Sequence, residues 1–215
     1  MTDFSAFIAR HTELTAPPGC PEIKLHLATE ITPLWEATEA YLAENNLPPP
    51  YWAFAWVGGQ ALSRHVLDHP ELVRGKRVLD FAAGCGMTAI AAAMAGAELA
   101  EAAEIDPVSA LAIAANALAN GVSVPVRLDD VLEDPACPWD VILAGDVCYE
   151  RPMAEKVFAW MRRCAAQGAT VLMADPGRTY LPRTGLLKLA EYTIACSLEL
   201  EDRTSRTAVV YKIVG

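Results

Sequence analysis

Paired cysteines, clustered basic residues and long apolar runs are what this 215-residue chain lacks. Its six cysteines (Cys20, Cys85, Cys137, Cys148, Cys164 and Cys196) stand far apart, with no C-x-x-C and no histidine at ligand spacing. That argues against a zinc site and reads as small core or turn residues in a reducing compartment. No histidine neighbours Cys85 or Cys148 to raise its thiolate fraction, so nothing marks either as a nucleophile. Basic residues number 17 against 27 acidic ones, a formal net charge of −10. Holding a phosphate backbone needs clustered Lys and Arg, so nucleic acid is not an expected partner, and a basic protein segment suits the charge better. Gly, Pro or charge interrupts every apolar stretch before it reaches membrane-spanning length, and no membrane association is expected. Met1 to Glu13 carries Asp3, Arg10 and Glu13; it has neither the basic-then-apolar layout of a signal peptide nor the arginine richness of a mitochondrial presequence. A cytoplasmic protein is expected. His11, His26, His65 and His69 fall outside every position that could carry chemistry, and no metal is expected.

What is present is a globular composition, 53% hydrophobic and 20% charged, at a length suited to one sizeable core. The most informative stretch is Val78-Leu79-Asp80-Phe81-Ala82-Ala83-Gly84-Cys85-Gly86-Met87-Thr88. It reads as an apolar strand that ends in an acid and turns through two glycines into an alanine-rich helix. Such a turn lets a ligand approach the backbone closely, next to unpaired helix N–H groups. About twenty residues on, Leu99 to Ala103 leads to Glu104-Ile105-Asp106-Pro107, where an acid for a ribose diol is expected. Two nucleoside cofactors share this outline. Gly84-x-Gly86-x-x-Ala89 satisfies a loose dinucleotide fingerprint, which makes NAD a rival. Asp80, four residues before Gly84, favours S-adenosylmethionine, because a strand-end acid can hold an ammonium group and would repel a pyrophosphate.

Periodicity places strands at 77–82, 99–104, 124–128, 139–145 and 169–174, with helices at 86–96, 107–120 and about 152–166 between them. A further helix is expected at 33–44 and another near 182–193. Two β-rich runs, 195–201 and 206–214, are joined closely enough to form a hairpin. Alternating β and α units give an α/β fold, a Rossmann-like doubly wound sheet, mostly parallel, with an antiparallel edge strand from the C-terminal hairpin. Residues 1–50 read as an N-terminal helical extension packed on the core, and 51–215 as the principal domain. In such sheets a ligand lies beyond the carboxyl ends of the strands, and Asp80, Glu104, Asp130, Asp146 and Asp175 all fall there.

Each candidate has a chemical reason. Glu104 can accept from both ribose hydroxyls, leaving Asp106 to cap the following helix. Asp130, or its neighbour Asp129, can accept from an adenine amino group, with Val131 beside it. Asp146 and Tyr149, in Asp146-Val147-Cys148-Tyr149, can line the place where a methyl donor meets its acceptor. If that acceptor is lysine, burial lowers the amine's pKa whereas a carboxylate raises it, so Asp146 suits holding and orienting the amine rather than activating it. Trp52, Phe54 and Trp56 read as a packing cluster or a lid, with Trp56 nearest the ligand.

These segments resemble the seven-β-strand, S-adenosylmethionine-dependent methyltransferases. They are most similar to the lysine methyltransferases of the β subunit of electron transfer flavoprotein, especially bacterial members. The likeness is carried by Tyr51 to Gln60, Leu79 to Ile90, Glu104 to Pro107, Gly145 to Tyr149 and Asp175-Pro176-Gly177-Arg178, within roughly residues 48–214. The resemblance implies cofactor contacts at Trp56, Asp80, Ala82, Gly84, Gly86, Glu104, Ile105, Asp130, Val131 and Asp146, with Asp146 and Tyr149 on the acceptor side. It also implies S-adenosylhomocysteine as product, the flavoprotein β subunit as partner, and a monomer. Ala82 replaces a family glycine, Val57 stands where proline is frequent, and Glu104 replaces an aspartate. Ribosomal-protein lysine methylation is the nearest alternative, followed by methylation of a small-molecule amine.

Overall fold

A computed structural model of the chain describes residues 4–28, 49–196 and 201–214. After helix α1 (Phe4–His11), strands β1 (Glu13–Thr15) and β2 (Leu25–Leu27) form a small antiparallel pair. Helix α2 (Val57–Asp68) leads into the main sheet, whose strands are β3 (Arg77–Phe81), β4 (Leu99–Ala103), β5 (Val126–Arg127), β6 (Val141–Gly145), β7 (Thr170–Asp175), β8 (Leu186–Ala195) and β9 (Ser205–Ile213). Helices α3 (Met87–Met94), α4 (Pro107–Ala119) and α5 (Arg151–Ala166) provide crossovers.

The sheet order is β5-β4-β3-β6-β7-β9-β8. Strands β3 to β7 pair in parallel, while β9 lies between β7 and β8, antiparallel to both. Successive residues of the central strands feed opposite faces of the sheet. Val78, Val141, Leu143, Leu172 and Ala174 pack with α2, α3 and α4. Leu79, Ile142, Ala144, Val171 and Met173 pack with Val157, Trp160 and Met161 of α5. Burial on both faces is why these strands read as near-continuous apolar runs. The chain steps from β3 to β4 and β5 on one side and later to β6 and β7 on the other. The crevice at the carboxyl ends of β3 and β6 is therefore the switch point, where such sheets take ligands.

Two expectations are corrected by the structure and two fall largely outside its described residues. The helix near 182–193 is not formed, because Leu186–Ala195 is strand β8, paired with β9 over its length. Leu186, Leu187, Leu189 and Ala190 carry a helical spacing, but a register irregularity between Lys188 and Ala190 breaks the two-residue period that would have marked a strand. The strand expected at 124–128 shrinks to Val126–Arg127. The helix expected at 33–44 lies outside the described residues, as does most of the strand expected at 195–201. Within the first 28 residues, Cys20, Ile23, Leu25 and Leu27 join the core that also holds α2 and α3. Among the described residues no helix is long and apolar enough to cross a membrane.

Candidate active site

The turn after β3 is built from left-handed backbone: φ is 52° at Ala82, 54° at Gly84 and 76° at Gly86. Glycine takes this conformation freely, while alanine is disfavoured by about 1–2 kcal/mol, so Ala82 stores strain in the turn. At Gly86 a side chain is also sterically excluded, since a Cβ would sit 2.9 Å from Ile113 Cγ2. Beside Gly84 the space is open, the nearest atom to such a Cβ being Tyr51 O at 3.8 Å.

Carboxylates take the amides that this turn presents. Asp80 lies beneath it, buried, and its Oδ2 accepts from Ala89 N in the first turn of α3 at 2.9 Å. Burial pushes the Asp80 carboxyl well above the usual range, opposed by that N–H and reinforced by the charge on Glu104. Glu104 folds back on the turn: Oε1 accepts from Gly84 N at 2.7 Å and Oε2 from Ile105 N at 3.0 Å. Burial raises its pKa as well. Asp106 takes the cap of α4, accepting from Val108 N and Ser109 Oγ, each at 2.9 Å. Ile105 between them is 76% exposed, an apolar side chain displayed at the rim. Asp130 accepts from Leu132 N at 3.0 Å and so caps a short 3₁₀ turn that buries Val131, while Asp129 pairs with Arg127 at 2.6 Å.

Asp146 ends β6 in a left-handed conformation, φ 58°. One oxygen accepts from Gly58 N at the start of α2 and the other from Arg178 Nε at 2.8 Å. The approach of α2 requires glycine: a Cβ at Gly58 would lie 2.6 Å from Ala174 O and 2.7 Å from Asp146 Oδ2. Burial pushes the Asp146 carboxyl from the ordinary 3.8 up to about 6, although Arg178 pulls it down. Tyr149 is half-exposed, and burial holds its hydroxyl protonated, up to about 12. Its ring stands 5.7 Å from Tyr51, and Tyr51 stands 6.0 Å from Trp56, whose Nε1 donates to Tyr51 O at 3.1 Å. The three rings form a wall near the Gly84 turn. Trp52 and Phe54 are buried with Ile8, Val108 and Ala112, so the packing role belongs to them and the rim position to Trp56. Cys85 and Cys148 are buried thiols pushed up to about 12, chiefly by desolvation, and are unsuited to nucleophilic work.

Sequence reasoning gave no role to Tyr51, Arg178, Glu201 or Arg206. The Arg178 guanidinium reaches Glu201 through two nitrogens, at 2.7 and 3.2 Å, and sits 6.0 Å from the Trp56 ring. Arg206 donates to the same Glu201 at 2.5 Å. Asp175-Pro176-Gly177-Arg178 was visible as a turn, but its partner Glu201 lies across β8, and no local pattern announces such a pair.

A doubly wound sheet whose switch point carries a left-handed glycine turn, a carboxylate bound to that turn and a strand-end aspartate is the frame of a Rossmann-like methyltransferase. A family model described as ribosomal protein L11 methyltransferase (PrmA) matches residues 61–148. The chain is 37% identical to the electron transfer flavoprotein beta subunit lysine methyltransferase of Rattus norvegicus, over 96% of this chain and 82% of that protein. It therefore belongs to the electron transfer flavoprotein β-subunit lysine methyltransferase family. A ribosomal protein L11 methyltransferase from Azotobacter vinelandii is 39% identical, over 76% of this chain and 57% of that protein. The crystal structure of magnesium protoporphyrin IX methyltransferase from Synechocystis, with bound S-adenosylhomocysteine, shares the fold: TM-score 0.52 at 16% identity, covering 72% of this chain and 80% of that one.

Proposed function

We propose that the protein transfers methyl groups from S-adenosylmethionine to lysine side chains of the electron transfer flavoprotein β subunit. The observation that carries the cofactor reading is the Gly84–Glu104 hydrogen bond at 2.7 Å. The glycine-turn amide that a pyrophosphate would need is given to a carboxylate, and the helix amide of Ala89 is given to Asp80. A dianionic phosphate bridge is repelled there, whereas a cofactor bearing an ammonium and a sulfonium is attracted. NAD is thereby disfavoured by electrostatics as well as by hydrogen bonding.

In this reading Glu104, still holding Gly84 N, accepts from the ribose diol with its remaining lone pairs; Asp130 and Val131 take the adenine edge with Ile105 against its face, and the open side of Gly84 admits the amino-acid tail. Asp80 acts through the turn it fastens. When bound, S-adenosylmethionine supplies an electrophilic methyl group on sulfur. The acceptor amine must arrive neutral, from a reference pKa of about 10.4. Tyr51, Trp56 and Tyr149 desolvate it, which lowers that pKa. Asp146, already held by Gly58 and Arg178, orients the amine by accepting one of its hydrogens; alignment and exclusion of water then account for much of the rate.

The test is incubation with methyl-labelled S-adenosylmethionine and purified electron transfer flavoprotein, mapping label by mass spectrometry. Label on β-subunit lysines, lost in Asp146→Ala with S-adenosylhomocysteine binding retained, is the expected result. The match over residues 61–148 favours a second reading, ribosomal protein L11 as acceptor; label on that protein alone in a parallel tube would replace the first. S-adenosylhomocysteine at a hundred times its Kd should stabilise the fold by about 2.7 kcal/mol, and NAD should leave the melting temperature unchanged.

A further inference from the structure

The turn that follows β7 is fixed from two sides. Asp175 Oδ1 accepts from Gly177 N at 2.7 Å and from Arg178 N at 2.6 Å, which sets the backbone. Glu201, whose side chain is fully buried, then grips the Arg178 guanidinium and is itself gripped by Arg206. Arg178 is left with its Nε aimed at Asp146 and its guanidinium near Trp56, the residues that border the acceptor in the function proposed above. A planar fork held at this many points has little rotamer freedom left to lose when it orders a neighbour.

We propose that Arg178 is a positioning residue for methyl transfer, which keeps Asp146 ionised and aimed at the acceptor amine, and that Glu201 sets how strongly it does so. This rests on the reading of Asp146 given above. The charged and titratable groups facing Asp146 are few. They are Arg178 from the turn, Asp175 from the end of β7 and Cys148 two residues on, while α2 contributes only the Gly58 amide. Asp175 opposes ionisation of Asp146 and Cys148 is a neutral thiol, so Arg178 is the one cation favouring the carboxylate among the described neighbours. Glu201 shares that cation and tempers its field.

Two variants should therefore move the same carboxyl in opposite directions. Arg178→Gln removes the cation, and the Asp146 midpoint should rise by about 1–3 pH units. Glu201→Gln leaves Arg178 with its full field, and the midpoint should fall. Arg178→Lys keeps the charge and should restore most of the position. The titration is read by ¹³C NMR of aspartate-labelled protein, the signal being assigned by its loss in Asp146→Asn. That readout needs no acceptor, so it stands or falls separately from the identity of the methylated protein. In turnover, the acidic limb of the kcat profile should shift in the same direction as the carboxyl in each variant, with KM for S-adenosylmethionine little changed. A midpoint that stays put in both Gln variants overturns the proposal, even where kcat falls. A kcat limb that ignores a moved midpoint overturns its catalytic part. Should Arg178→Gln fail to fold, Glu201→Gln alone decides, since a purely structural role predicts no acidward shift.

Discussion

At Gly58 and Gly145 a single methyl group decides whether α2 can meet the end of β6. A Cβ on Gly145 would lie 2.7 Å from Gly59 Cα, and one on Gly58 would strike the Ala174 carbonyl. Both obstacles are backbone, so no rotamer change relieves them. Gly58→Ala is expected to cost about 1–3 kcal/mol in urea unfolding and to displace the amide that holds Asp146. Methylation should then fall more than the folded fraction does; a variant with wild-type stability and turnover would refute the steric account. Ala82 is the opposite case, a side chain where the backbone prefers none. Ala82→Gly removes left-handed strain but adds freedom to the unfolded chain. The two effects nearly cancel, leaving a gain of up to about 1 kcal/mol in thermal or urea unfolding, with cofactor affinity kept. A loss of stability would mean that the alanine methyl has packing value in the turn.

Between elements, Asn116 of α4 does the joining. Its Nδ2 donates to the Cys85 carbonyl in the glycine turn at 2.8 Å, and its Oδ1 accepts from His26 N in β2 at 2.7 Å. Asn116→Ala orphans a buried carbonyl and an amide, and should destabilise by about 2–4 kcal/mol while weakening S-adenosylhomocysteine binding through the turn. Urea unfolding and calorimetry check both; a loss of stability with binding untouched would separate the joint from the site. Such long-range bonds also set the limit of sequence reading. Strands β3, β6 and β7 were legible because burial on both faces writes an apolar run that stops at an acid; β4, with Glu101 on its less buried face, was legible from its place between two helices and the acid that follows it. The cap at Asp106 and the strand-end placement of Glu104 were legible because caps and strand ends are local, whereas the 3₁₀ cap made by Asp130 was not foreseen. Strand β8 was not, since Leu186, Leu187, Leu189 and Ala190 imitate a helix and only pairing with β9 corrects them. Arg178, Glu201 and Arg206 escaped for a related reason: their grouping exists only after β9 has been laid beside β7.

For the whole molecule, acidity is the variable with the clearest sign. Asp80, Glu104, Asp146 and Asp175 are all raised in the fold, each chiefly by burial. A carboxyl whose pKa is higher folded than unfolded binds more protons in the native state, so its contribution is fullest below the unfolded value and is lost as pH rises through the folded one. For Asp146 that window runs from about 6 down to the ordinary 3.8. A formal charge of −10 at pH 7 adds self-repulsion that acid also relieves. The melting temperature should therefore be higher at pH 5.5 than at pH 7.5, while turnover falls as Asp146 is protonated. A melting temperature that drops together with turnover would show that the exposed ion pairs outweigh the buried acids. The placement of β9 between β7 and β8 has one more consequence, for synthesis on the ribosome. Strand β8 emerges first, yet its native partner β9 is made after it, and with β9 come Arg206 and the final hold on Arg178. Methyl transfer is therefore expected to appear in nascent chains only after β9 has left the exit tunnel; activity in chains stalled before Ser205 would refute this.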